Sequence, residues 1–144
     1  MTGANAGTVN GIAFSGIAAI NAGDGADSFN ISFATAINLL GEAGNDIFNF
    51  NANPTGTFDG GAGNNVYNVL VSLARNFVLG SDGETVTIAN SSTLTGNVTG
   101  GAGDDTLVIG TGSSVIGSFN GGDGTNDTLS YVGNTGTVSV GLDG

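Results

Sequence analysis

Glycine-marked turns recur along this chain at nearly even intervals, and that period constrains the fold more than any other feature. Gly25, Gly44, Gly63, Gly83, Gly103 and Gly124 sit in turns such as "GEAGNDIFNF", "GGAGNNVYNV", "GGAGDDTLVIG" and "GGDGTNDTLSY". Extended outward, the series reaches Gly7 and Gly144, with steps of 18, 19, 19, 20, 20, 21 and 20 residues. That spacing predicts about seven units of 18–21 residues. A unit so short cannot bury its own apolar face and must stack on its neighbours.

Other columns keep the same phase. Five residues before each marker glycine stand Ile20, Leu39, Phe58, Val78, Val98 and Phe119. Four after it come Phe29, Phe48, Tyr67 and Leu107, followed two positions on by Ile31, Phe50, Val69 and Ile109. The Gly83 unit runs one residue early (Val86, Ile88), and the Gly124 unit one late (Leu129, Tyr131), with Asn126 as an insertion. Alternation of period two indicates strands with one buried face, and no helical periodicity competes with it. The expected fold is an all-β, right-handed parallel β-solenoid, β-helix- or β-roll-like, with one unit per coil and like residues about 4.8 Å apart. A β-sandwich also has frequent turns, but gives no reason for every unit to keep one phase.

The 144 residues form one expected domain, 1–144, with 39% hydrophobic residues, enough for a packed core. Twelve acidic residues against one basic residue give a net charge of −11. Such a chain lacks the Lys and Arg clusters that hold nucleic acid, and it is repelled by anionic membranes. It has no Cys and no His, which excludes thiolate and imidazole chemistry. No 18-residue apolar run calls for membrane insertion, and no leader pattern is visible.

Every acidic residue lies within four positions of a marker glycine, so coiling places all of them along one edge. Arg75, the only basic residue, falls elsewhere. Two unit charges one coil apart repel by about 0.9 kcal/mol in water and about 3.5 kcal/mol at an effective dielectric of 20. Carboxylates with turn carbonyls form a hard-oxygen set suited to Ca²⁺.

"GGAGDDTLV", Gly100 to Val108, resembles the RTX nonapeptide repeat G-G-x-G-x-D-x-U-x, whose coils bind Ca²⁺. "EAGNDIF" and "AGDGADSF" match in part, and "GGAGNNVY" has Asn65 at the Asp position. The resemblance implies Ca²⁺ held by Asp27, Asp46, Asp105 and Asp127, with Asp24, Asn65, Asp104 and Asp123 as weaker candidates. Thr85 takes the Asp position in the Gly83 unit, which would split an ion column in two. The longer period and the closing "GGDGTNDTLSYVGNTGTVSVGL" resemble β-strand-repeat regions of large bacterial exoproteins and filamentous-haemagglutinin-like adhesins. This resemblance implies a structural or adhesive repeat module, secreted or on a bacterial cell surface or in its matrix. Its expected partners are flanking repeats, a second copy stacked head to tail, or surface glycans. A metal-free adhesin segment is the alternative.

Asn30, Asn49 and Asn68 share one outward position and are expected to form an amide ladder, with a sugar-binding strip as the other reading. Tyr67 and Tyr131 fall in apolar columns and are expected to pack in the core, and Arg75 is expected to be solvated or to snorkel. An ice-binding face would need Thr held through several coils, and no such column is evident. Enzymatic function is not expected. β-Helix lyases act with basic side chains scarce here, and Asp104 and Asp105 are neighbours that point to different faces. Neither end carries a cap motif, consistent with an excerpt of a longer repeat array or with a fibre subunit.

Overall fold

The alternating segments become short strands that climb around a common core, one coil stacked on the next. The computed structural model describes residues 7–9, 12–135 and 137, and within them the regular structure is strand alone. The first pair, β1 (Gly7–Val9) and β2 (Ile12–Phe14), is an antiparallel hairpin. The coils follow: β3 (Ala19–Asn21) and β4 (Ser28–Ile31), then β5 (Asn38–Leu40) and β6 (Ile47–Phe50). The third contains β7 (Phe58–Asp59), β8 (Val66–Val69) and β9 (Leu73–Ala74). The fourth contains β10 (Phe77–Val78), β11 (Thr85–Ile88) and β12 (Thr93–Thr95). The fifth has β13 (Val98–Thr99), β14 (Thr106–Ile109) and β15 (Ser114–Ile116), and the sixth β16 (Phe119–Asn120) and β17 (Thr128–Ser130).

The fold is therefore a parallel β-solenoid. Its longest sheet has six strands, β4-β6-β8-β11-β14-β17, one from each coil. Sheets β3-β5-β7, β10-β13-β16 and β9-β12-β15 form the other sides. The count is about six coils rather than seven. Gly7 lies in the hairpin, where it pairs with Phe14, and the Gly144 unit lies outside the described residues. The hairpin takes the place of the expected first coil because its two strands pair with each other.

Register in the long sheet follows the sequence columns. Phe29, Phe48, Tyr67, Val86, Leu107 and Leu129 stack in order, separated by 19, 19, 19, 21 and 22 residues. Ile31, Phe50, Val69, Ile88 and Ile109 form the second inward column. Phe29, Phe48 and Tyr67 stack face to face, with ring centroids 4.6 and 5.2 Å apart and planes within 11° and 14°. Phe50 meets Phe58 and Phe77 edge-on, closing the interior from the opposite side.

The change from 19 to 21 residues has a local cause. Val69 to Leu73 spans one tight corner, whereas Ile88 to Leu94 and Ile109 to Val115 each carry two more residues. The extra length forms a turn closed by Ser92 N–H to Ala89 C=O at 3.1 Å, repeated as Ser113 N–H to Gly110 C=O at 3.2 Å. Its third residue is left-handed in both coils, Ser91 at φ 60° and Gly112 at φ 69°. The further residue in the sixth coil is absorbed at Thr125 and Asn126, whose N–H groups both donate to Asp104 Oδ1, at 3.1 and 3.0 Å.

One apolar column differs from expectation. Phe77, not Val78, pairs with Val98 and faces the core, and Val78 is 78% exposed. Counting back from Gly83 shifts the position by one residue, because Asp82 occupies the marker-glycine place: the Cβ of an alanine at Gly103 would run into the Asp82 carbonyl.

Two stability predictions follow from this packing. Phe48→Ala removes a ring with no exposure and two stacked partners, and should cost about 3–5 kcal/mol by denaturant unfolding. Ser91→Gly should stabilise by about 0.5–1 kcal/mol, because glycine adopts the left-handed turn without the Cβ penalty; a lowered midpoint would contradict the turn assignment.

Candidate functional site

The turn that precedes each long-sheet strand must bury backbone N–H groups where no strand pairs with them, and such groups require acceptors. One column of side chains supplies them. In register these are Asp27, Asp46, Asn65, Glu84, Asp105 and Asp127, each just before its strand. Asp46, Asn65, Glu84 and Asp105 are buried, and the two end members are half-buried. Asp27 N–H donates to Asp46 Oδ1 at 2.8 Å, and Asp46 N–H to Asn65 Oδ1 at 2.9 Å. Glu84 N–H donates to Asp105 Oδ1, and Asp105 N–H to Asp127 Oδ1, both at 2.9 Å. Each acceptor thus ties its coil to the one before.

Second oxygens and amide groups close the turns. Asp105 Oδ2 accepts from Gly101 N–H at 2.8 Å, whereas the Asn65 amide donates to the Gly63 and Gly61 carbonyls at 3.0 and 3.3 Å. At Asp105 the second partner is a donor, and at Asn65 it is an acceptor.

Glu84 breaks the pattern. Its side chain is one methylene longer, and neither of its buried oxygens has a hydrogen-bond donor. Burial raises its pKa from the ordinary value to about 8, helped by the adjoining Asp105 carboxyl and by the charge of Asp82, and opposed by the Gly80 backbone. Thr85 lies one place further along, on the outward face with Val66 and Thr106. The acidic column is therefore continuous through the Gly83 unit, and Thr85 does not divide it. The signal for Glu84 lay in Val86 and Ile88, which run one residue early; the same shift applied to the turn selects Glu84.

The weaker candidates separate from this column. Asn65 belongs to it, while Asp24, Asp104 and Asp123 are exposed on the outer side. Asp104 also receives the Asn126 amide on Oδ2 at 3.1 Å, and that bond with the Thr125 and Asn126 N–H groups lowers its pKa. An outer ladder runs in the opposite sense: Asn64 N–H donates to Asn45 Oδ1 at 2.9 Å, and Gly83 N–H to Asn64 Oδ1 at 3.1 Å.

Ca²⁺ asks for six to eight oxygen ligands converging on one point. Among the described residues no three acidic side chains are grouped to hold a metal. Asp46, Asp105 and Asp127 each already commit an oxygen to backbone N–H, and Asp105 commits both. Asp46 Oδ2 lacks a partner but packs so tightly beneath Gly41 that an added Cβ there would collide with it.

On the outward face, Asn49 donates to Asn30 at 3.0 Å and Asn68 to Asn49 at 2.8 Å, forming the expected amide ladder. The next column does hold threonine through three coils, Thr85, Thr106 and Thr128, contrary to expectation. Tyr67 is buried with its hydroxyl against Gly60, and burial holds the phenol well above its ordinary pKa. Tyr131 remains 38% exposed. Arg75 is not freely solvated. It donates to Gly56 and Pro54 carbonyls at 2.9 and 3.3 Å, and its guanidinium sits 4.0 Å from the Phe58 ring centroid. A shallow groove of about 410 Å³ opens where β7 and β10 do not pair, lined by Leu40, Phe58, Asp59, Tyr67 and Val78.

No protein-family model, curated protein or solved structure matches this chain.

The column makes a specific prediction. Asp105→Ala strips acceptors from two buried N–H groups and should cost about 2–4 kcal/mol by chemical denaturation. Asp105→Asn keeps one acceptor and should lose less; equal losses would show that the side chain acts only as filler.

Proposed function

We propose that this chain is a structural rod module, a spacer or adhesive repeat that stacks end on end with flanking repeats or a second copy. The observation that carries the reading is the uninterrupted six-strand parallel sheet. Each coil supports the next through backbone bonds, stacked rings and side-chain ladders. The construction repeats along one axis and gives length, about 29 Å for six coils. The extracellular or bacterial-surface setting rests on the resemblance of the repeats to those of large exoproteins. Glycan contact through the outward face belongs to the same reading, with the Asn and Thr columns as the polar groups available there.

Small-angle scattering of the purified chain, with electron microscopy across a concentration series, tests the rod and its stacking. A rod profile and end-to-end particles are expected. Dispersed monomers at every concentration would remove the stacking part, and a globular profile would remove the whole reading. Thermal unfolding in EDTA and in millimolar Ca²⁺ separates a rod held by its own ladders from one cemented by ions. An unchanged midpoint is expected; a large rise in Ca²⁺ would restore the ion-cemented rod.

A further inference from the structure

The joint between the third and fourth coils is open on one side of the solenoid. β7 in the third coil pairs with β5, and β10 in the fourth pairs with β13, but β7 and β10 do not pair with each other. Coil length is not the cause. Leu39 to Phe58 is a step of 19 residues and pairs, and Phe58 to Phe77 is also 19. On the long sheet the same two coils pair normally, with Val86 over Tyr67.

Three residues account for the break. At the corner before this side, an added Cβ at Gly56 would strike the Ile37 carbonyl, one at Gly96 the Arg75 carbonyl, and one at Gly117 the Gly96 carbonyl. Glycine lets each of those coils close on the one before it, whereas the residue over Gly56 is Arg75, whose own Cβ holds the fourth coil off the third. One place further on, Asn38 Oδ1 accepts from Thr57 N–H at 3.0 Å, Asn76 Oδ1 from Asn97 N–H at 2.9 Å, and Asn97 Oδ1 from Ser118 N–H at 3.1 Å. The third coil carries Thr57 at that position, with a side chain too short to cap Asn76. In the inward column Asn65, Asp105 and Asp127 each cap the coil before them, but Glu84 makes no bond to the Asn65 N–H. In place of these bonds the Arg75 guanidinium reaches across the joint, to the Gly56 and Pro54 carbonyls at 2.9 and 3.3 Å and over the Phe58 ring. The groove between Phe58, Asp59, Val78 and Leu79 lies along this opening.

We propose that this joint is a hinge built into the solenoid: the first three coils and the last three pivot about the β8–β11 and β9–β12 ladders, parting along β7 and β10, with Arg75 as the latch. The two ladders keep the blocks joined on the other sides. Parting along β7 and β10 breaks no strand pair, only the two guanidinium bonds and the ring contact. The flanking joints resist the same motion. Between the second and third coils Leu39 and Gly41 donate to the Thr57 and Asp59 carbonyls at 2.9 and 2.8 Å, and between the fourth and fifth Phe77 and Leu79 donate to Asn97 and Thr99 at 2.8 and 2.9 Å. The chain therefore yields at its middle before it frays between other coils, whether or not copies stack end on end.

The chain has no cysteine, so pairs of spin labels can be placed cleanly. Asn21→Cys with Asn120→Cys spans the first to the sixth coil on the open side, and Ser28→Cys with Thr128→Cys spans the same coils on the long sheet; all four positions are exposed. Five coil steps set about 24 Å between backbones in both pairs. Pulsed electron–electron distance measurement should give one narrow peak for the long-sheet pair. The open-side pair should be broader, with a tail reaching about 5 Å or more beyond its main peak, the width of one coil step. Arg75→Gly combined with Thr57→Asn restores the corner glycine and the amide cap, and should remove that tail. Equally narrow distributions for the two pairs would overturn the hinge, as would equal broadening of both, which would place the motion at the ends. A tail that persists in the double variant would overturn Arg75 as the latch. If the double variant does not fold, the two distributions in the otherwise unaltered chain decide.

Discussion

Parallel stacking of one coil on the next governs this molecule, because it places each residue directly over its counterpart in the neighbouring coil. Along the sheets this is favourable without special chemistry: backbone groups pair, and inward side chains meet their own kind. Phe29, Phe48 and Tyr67 become a ring stack for this reason alone. At the corners the same geometry creates a problem, since the chain turns inward and its N–H groups no longer face a strand. The solution at most corners is a side-chain acceptor at the same position in the next coil: Asp46, Asn65, Asp105 and Asp127 each cap the turn before them, and Glu84 does not.

Much of this was legible in the sequence, and its failures share a cause. The apolar columns, the parallel coils, the Asn30–Asn49–Asn68 ladder and the extra residue at Asn126 all follow from periodicity, since stacking preserves phase. The fourth coil was misaligned because Gly83 looks like a marker glycine while Asp82 occupies the place. That one-residue slip hid Glu84 in the column, put Val78 rather than Phe77 in the core, and gave Thr85 a role it does not have. It also concealed the Thr85–Thr106–Thr128 column, which only the strand register reveals. Gly7 misled differently. Spacing alone cannot tell a coil from a hairpin whose two strands pair with each other.

Arg75 shows what periodicity cannot express. It stands in a column with Ile37, Gly56, Gly96 and Gly117, where the backbones come so close that an added Cβ at Gly96 would strike the Arg75 carbonyl. The third side of the solenoid has no regular strand before β9, so the Pro54 and Gly56 carbonyls lack a ladder there. A guanidinium reaches both and lies over Phe58, serving as donor and as packing surface at once. Burial lowers its pKa, but an arginine remains charged.

The composition then has an explanation different from cation binding. Turn N–H groups are donors, so a cap must accept, and Lys or Arg would bring only further donors. Asp, Asn and Glu are the short polar side chains that accept while reaching one coil away. At two positions the second partner matches the side chain: Asp105 meets the Gly101 N–H, and Asn65 meets the Gly61 and Gly63 carbonyls. At Asp46, Asp105 and Asp127 the acidic side chain serves as the acceptor that caps a turn. Exposed members such as Asp24 and Asp123 leave their charge in solvent at little cost. Inside, the same rule leaves the Glu84 carboxyl buried at its turn, where desolvation raises its pKa to about 8.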